Sequence, residues 1–183
     1  FTVSYNIIQN VSCNGGSDAI VELIPDGGTN AEIDTLFNLS AGFYQPTIFD
    51  ENGCPATTEE LEITEPDPFN IDANINNISC YGYGDGSIEL SVSGNNGNYS
   101  YTWDTGATTS SVENLGPGTY SVTIIDELLC EIELEYPILE PDSLIIEIIS
   151  SDTDLECSNS VGDFNVLITG GSEPYNISWS DGD

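Results

Sequence analysis

The stretch Cys80-Tyr-Gly-Tyr-Gly-Asp-Gly-Ser-Ile-Glu-Leu-Ser-Val-Ser93 decides the fold. Its second half alternates Ile88, Leu90 and Val92 with Glu89, Ser91 and Ser93. A strand puts every second side chain on one face, so this half reads as a half-buried β-strand, and the Gly- and Asp-rich first half reads as the turn that feeds it. Working outward, the same period groups Tyr99, Tyr101 and Trp103, then Tyr120, Val122 and Ile124, then Ile132, Leu134 and Tyr136. Phe69 to Ile75 supplies a further strand ahead of the cysteine, and Ser110 to Leu115 another before the turn at Gly116-Pro-Gly118. No segment sustains a 3.6-residue period with caps, so almost no helix is expected. Short strands punctuated by Gly, Asn, Asp and Pro predict an all-β chain of tandem immunoglobulin-like β-sandwich domains.

The stretch recurs. Cys13-Asn-Gly-Gly-Ser-Asp-Ala-Ile-Val-Glu-Leu23 and Cys157-Ser-Asn-Ser-Val-Gly-Asp-Phe-Asn-Val-Leu167 align with it. Leu39-Ser-Ala-Gly-Phe-Tyr-Gln-Pro-Thr-Ile-Phe-Asp-Glu-Asn-Gly-Cys54 aligns without a gap with Leu115-Gly-Pro-Gly-Thr-Tyr-Ser-Val-Thr-Ile-Ile-Asp-Glu-Leu-Leu-Cys130. Glu65-Pro-Asp67 and Glu140-Pro-Asp142 close the units. The aromatic segment Asn98-Tyr-Ser-Tyr-Thr-Trp-Asp-Thr-Gly106 returns as Pro174-Tyr-Asn-Ile-Ser-Trp-Ser-Asp-Gly182 and has no counterpart in the first unit. The expected organisation is a shortened repeat over 1–66, a complete one over 67–141 and a truncated one over 142–183. The start, Phe1-Thr-Val-Ser-Tyr5, has no initiator Met or signal-peptide character, and the chain reads as an internal window of something longer.

Composition removes whole classes of function. A chain of 183 residues with ordinary charge content would carry roughly 20 Lys and Arg; this one has none, no His and no Met, and its formal net charge is −32. Phosphate backbones and anionic lipid surfaces are bound through Lys and Arg, so nucleic acid and anionic membranes are excluded as partners. Catalysis loses its imidazole base, its Lys Schiff base and its Arg clamp, leaving only carboxylate-pair chemistry of the glycosidase type. Adjacent Glu59 and Glu60 point to opposite faces of a strand and cannot flank one glycosidic bond, so the chain reads as a non-enzyme. The hydrophobic fraction of 38% places all this charge on a folding chain rather than a disordered one.

Five cysteines are an odd number. Each full unit has one Cys before its second strand and one after its penultimate strand, which predicts Cys13–Cys54 and Cys80–Cys130, with Cys157 paired beyond the chain end. Such bridges persist in oxidising compartments, so the protein is expected outside the cell.

The succession Cys80, Gly84-Asp-Gly-Ser-Ile88, Tyr99-Ser-Tyr-Thr-Trp103, Thr105-Gly-Ala-Thr-Thr109, Leu115-Gly-Pro-Gly-Thr-Tyr120, Asp126-Glu127 and Cys130 closely resembles the SprB-type repeat. Such repeats stand in tandem in giant cell-surface adhesins of Bacteroidota exported by type IX secretion, some serving gliding motility. The resemblance implies a repetitive, surface-exposed stalk whose partners are neighbouring repeats of the same chain. It also implies O-glycan acceptors at Asp-Ser/Thr-aliphatic sequences, here Thr35 in Asp34-Thr-Leu36 and Ser143 in Asp142-Ser-Leu144.

Two further sites have competing readings. Glu65, Asp67, Glu140 and Asp142 offer the hard oxygen ligands that Ca²⁺ takes, or they flank rigid Pro turns between units. Tyr99, Tyr101, Trp103, Tyr175 and Trp179 form a core aromatic strand, as in immunoglobulin-like sandwiches, or they present rings to a surface polysaccharide, as a carbohydrate-binding module would.

Overall fold

Fifteen strands make up the ordered elements of the structure, a computed structural model that describes residues 1–151 and 164–179. They are β1 (Thr2–Gln9), β2 (Ala19–Asp26), β3 (Asp34–Leu39), β4 (Gly42–Tyr44), β5 (Thr47–Phe49), β6 (Pro55–Thr57), β7 (Leu61–Ile63), β8 (Asn70–Asn76), β9 (Gly86–Ser93), β10 (Ser100–Trp103), β11 (Ser111–Leu115), β12 (Gly118–Ile125), β13 (Glu131–Ile138), β14 (Ile145–Ser151) and β15 (Phe164–Thr169). No described residue is helical. The chain gathers into two compact units, one of residues 1–72, 91–101 and 123–133, the other of residues 73–90, 102–122 and 134–183.

Strands β8 to β13 form two three-stranded sheets, ordered β11-β9-β8 and β10-β12-β13. Lettered along the chain, these are E–B–A and C–F–G, the immunoglobulin arrangement without a D strand. Each strand buries one face: Ile88 and Leu90 of β9, Trp103 of β10, Val122 and Ile124 of β12 and Ile138 of β13, with Val112 and Leu115 of β11 three apart across a register shift. Gly86 on β9 leaves no room for a methyl group, because a Cβ there would lie 2.7 Å from Ile138 Cγ2 and 3.0 Å from Leu115 O. Trp103 is 2% exposed, and its Nε1 donates to Thr109 O at 2.9 Å, which satisfies its one polar atom. Tyr120 Oη donates to Gly116 O at 3.1 Å across the E–F turn, the tyrosine corner of this fold.

The first 66 residues repeat the plan with less material. Sheet β1-β2-β3 supplies A–B–E, and the opposing layer is only an F–G hairpin made of the pairs β4–β7 and β5–β6. The hairpin ladder breaks at Gln45-Pro46, where proline has no N–H to contribute. Val11, Ala19, Val21, Leu23, Leu61 and Ile63 form its core. Nothing corresponds to β10, as the missing aromatic segment predicts. Tyr44 Oη donates to Ser40 O at 2.9 Å, a second tyrosine corner.

In the third segment β14 pairs antiparallel with β15. Tyr175 is half-buried and donates to Gly170 O at 2.6 Å, as Tyr99 donates to Gly94 O. The expectation that Trp179 is a core residue is corrected, since it is 45% exposed. It lines an open cleft with Leu144 and with Ile146, Val166 and Ile168 of the β14–β15 pair, whereas β10, which carries Trp103, pairs with β12.

Gly94 and Gly170 follow the B strands at φ +86° and +72°, and a Cβ at either would sit 2.1 Å from a carbonyl oxygen, of Pro68 and Ser143 respectively. Gly94→Ala is therefore expected to destabilise the chain by about 1–3 kcal/mol, through positive φ and backbone overlap together. A urea titration followed by Trp fluorescence measures it; an unchanged midpoint would contradict this close approach.

Candidate functional site

Two kinds of turn carry the cysteines, and each is built twice. In the first kind, which follows the A strand, Ser12 N and Oγ donate to the two carboxylate oxygens of Asp18, and Gly16 N donates to Cys13 O. Glu65 Oε2 accepts from Gly15 N at 2.6 Å, and Asn10 Oδ1 accepts from Thr64 N at 3.0 Å. One repeat later Ser79 donates to Asp85 in the same way, Tyr83 N donates to Cys80 O, Glu140 Oε1 accepts from Gly82 N at 2.7 Å, and Asn77 Oδ1 accepts from Leu139 N at 2.8 Å.

The second kind joins strands F and G. Asp50 Oδ1 accepts from Asn52 N at 3.0 Å and Cys54 N at 2.8 Å; Asp126 Oδ1 accepts from Leu128 N at 2.9 Å and Cys130 N at 2.8 Å. Asn96 adds its Nδ2 to Asp126 Oδ2 at 2.8 Å. These aspartates were read in the sequence only as alignment landmarks. The spacings Ser-Cys-x4-Asp and Asp-x3-Cys, each occurring twice, are the signal that reveals their role.

All four aspartates are held below the ordinary carboxylate range. For Asp18 and Asp85 the main cause is the hydroxyl of Ser12 or Ser79, and for Asp50 it is the Cys54 amide. For Asp126 burial is the largest influence and pushes upward, but the bonds from Asn96, Cys130 and Leu128 together outweigh it. A carboxyl with a depressed folded pKa contributes stability that is fully present above its unfolded value of about 3.9 and is lost as pH falls through the folded value. Circular-dichroism melts at intervals from pH 7 to 2 are thus expected to lose this contribution only below about pH 4, and Asp126→Asn to shrink that acid loss. A melting point independent of pH below 4 would contradict the turns' role.

The disulfide joins the two kinds of turn. Cys13 and Cys130 are bonded at 2.10 Å, with Cα atoms 5.5 Å apart and a sequence separation of 117. Asn96 Nδ2 donates to Ser12 O at 3.0 Å beside the bond. Cys54 and Cys80 are free and exposed. The expected pairs Cys13–Cys54 and Cys80–Cys130 are therefore corrected, and topology gives the reason. Leu39 at the end of β3 pairs with Ala19, at the end of the sheet near Cys13. The F strand then starts at Gly42 and runs through β4 and β5 to Phe49, away from that end, before the turn bearing Cys54. A strand of such length spans roughly 25 Å, far more than the ~4.4–6.8 Å between the Cα atoms of a cystine. The two cysteines of one repeat thus lie at opposite ends of it. Cys157 lies outside the described residues.

The remaining candidates find other roles. Glu65 and Glu140 accept amide bonds as above, while Asp67 O and Asp142 O accept from Asn95 N and Gly171 N, each at 2.7 Å. Among the described residues no three His, Cys, Asp or Glu side chains come together as a metal-holding group. Tyr99 and Tyr101 are half-buried, with the Tyr99 ring 6.0 Å from that of Phe69. Thr35 is half-buried in β3 and Ser143 is exposed.

Sheets ordered E–B–A and C–F–G with a tyrosine corner define an immunoglobulin-like β-sandwich. Within it, residues 73–108, which hold the end of β8, the Cys80 turn, β9 and β10, match the SprB repeat, so the family suspected from the motifs is found on that segment. Among solved structures the chain is similar to the C-terminal 282-residue fragment of intimin, crystallised in complex with the intimin-binding domain of the translocated intimin receptor. That similarity has 13% identity and a TM-score of 0.36, covering 80% of this chain and 67% of that one. No curated protein matches the chain.

Proposed function

We propose that this chain is a structural, non-enzymatic stretch of tandem repeats from a secreted bacterial cell-surface adhesin or filament, exported by type IX secretion and serving adhesion or gliding motility. The repeats run over 1–66, 67–141 and 142–183, and neighbouring repeats are their principal partners. The supporting observation is that the Cys13 and Cys80 turns carry the same hydrogen bonds on the same residue types. An enzyme gathers different residues into one pocket, whereas a stalk reuses one unit to gain reach. Absence of Lys and Arg leaves no site for trypsin-type proteases, and a net charge of −32 keeps neighbouring filaments apart.

Antibodies raised against this chain test the reading when applied to intact, unpermeabilised cells of the source bacterium. Labelling of intact cells is expected; labelling only after permeabilisation would refute a surface stalk. A second reading, a carbohydrate-binding array, draws on the exposed ring of Trp179. The stalk reading predicts no signal for the folded chain on a glycan array, and binding lost on Trp179→Ala would favour the second.

A further inference from the structure

We infer that the Cys13–Cys130 bond is one link of a series, in which the first Cys of each repeat bonds the second Cys of the next, so that the array is covalently cross-linked from unit to unit. By position in the sequence repeats, Cys13 falls in the first repeat and Cys130 in the second, and the bond between them lies within one compact unit. Cys80 stands where Cys13 stands, on a turn with the same bonds from Ser79 to Asp85 and from Gly82 to Glu140. Cys54 stands where Cys130 stands, its amide held by Asp50 as Asp126 holds that of Cys130.

A second observation, independent of the cysteines, points to the occupant. Where the bond is made, the loop after β9 reaches the Cys13 turn: Asn96 Nδ2 donates to Ser12 O at 3.0 Å, while Asn95 N donates to Asp67 O within the second repeat. In the third segment the loop after β15 reaches the Cys80 turn in the same place: Ser172 Oγ donates to Ser79 O at 3.2 Å, while Gly171 N donates to Asp142 O within that segment. Cys80 and Tyr81 line a cleft with Asp142, Ser143 and Ser172, the counterparts of the residues around Cys13. The third repeat thus meets the Cys80 turn at the Ser79 carbonyl, the counterpart of the Ser12 carbonyl contacted beside the bond at Cys13. The group that completes the cleft is the F–G turn of that repeat, an Asp-x3-Cys sequence. By the same rule Cys54 takes the first Cys of the unit before.

Each link forms when two thiols lose two protons and two electrons to a disulfide-class oxidant of the export compartment, which leaves as a dithiol. The link goes beyond the stalk reading, because repeats can form a spacer without being bonded to one another.

The experiment uses the full-length protein released from cells in the presence of an alkylating agent. Peptic digestion at low pH prevents exchange and does not need the absent Lys and Arg, and mass spectrometry then reads the cross-links. A Cys80 peptide joined to an Asp-x3-Cys peptide of the following repeat is expected, with Cys54 joined to the preceding one. Cys80 recovered alkylated, or joined to Cys54 or Cys130, overturns the inference. Surface labelling of the same cells is read separately, so a failed link and a failed stalk reading are told apart.

Discussion

Cys130→Ser is expected to cost about 3–5 kcal/mol of unfolding free energy in the oxidised protein, because it opens a loop spanning 117 residues. In the chain-entropy model the gain from a cross-link grows with the logarithm of the closed loop, and this loop is longer than either of the bridges expected within a repeat. Cys13→Ser should cost the same, and the double substitution no more than either alone, since all three remove one bond. Cys54→Ser and Cys80→Ser change exposed thiols and should stay within about 0.5 kcal/mol. Urea titrations of the four single variants, with and without reductant, measure the contrast. Equal losses at all four positions would mean that the bonds close within repeats instead.

Trp103→Ala is the second large effect, at about 3–5 kcal/mol. The ring is 2% exposed, and its removal leaves a cavity and strips the Thr109 carbonyl of its donor. Trp103→Phe restores most of the packing but not the hydrogen bond, and should recover more than half of the loss. The same truncation at Trp179, which is 45% exposed, should cost under about 1 kcal/mol. Thermal melts by far-UV circular dichroism separate the two sites. A small effect at Trp103 would mean that the aromatic strand does not form the core.

Most of the central sandwich was legible in the sequence because its strands bury one face only. Ile88 and Leu90, Val122 and Ile124, and Trp103 alternate with polar residues, and period two carries through to the observed burial. The missing aromatic segment of the first repeat was visible, but not how its strands pair without it. Trp179 departs from that pattern because alternation says which residues share a face but not whether a second sheet covers it.

Cystine pairing failed on a different ground. Repeat arithmetic identifies which two positions bond, but it is silent on which copies they come from. Counting chain reversals from Cys13 to Cys54 would have placed those sulfurs at opposite ends of one sandwich, and so in reach only of a neighbour. The turn aspartates were visible as aligned letters, yet their role depends on amides brought close by the turn itself, which composition and period do not encode. Likewise the bonds of the boundary glutamates were hidden, because Gly15 and Gly82, whose amides they accept, lie 50 and 58 residues away in sequence.

Mapping the disulfides of the oxidised 183-residue chain, alkylated and cleaved with pepsin without reduction, bears most directly on the cross-repeat bond. A peptide containing Cys13 linked to one containing Cys130, with Cys54 and Cys80 carrying the alkyl group, is the predicted result. Recovery of Cys13 with Cys54 and of Cys80 with Cys130 would contradict it.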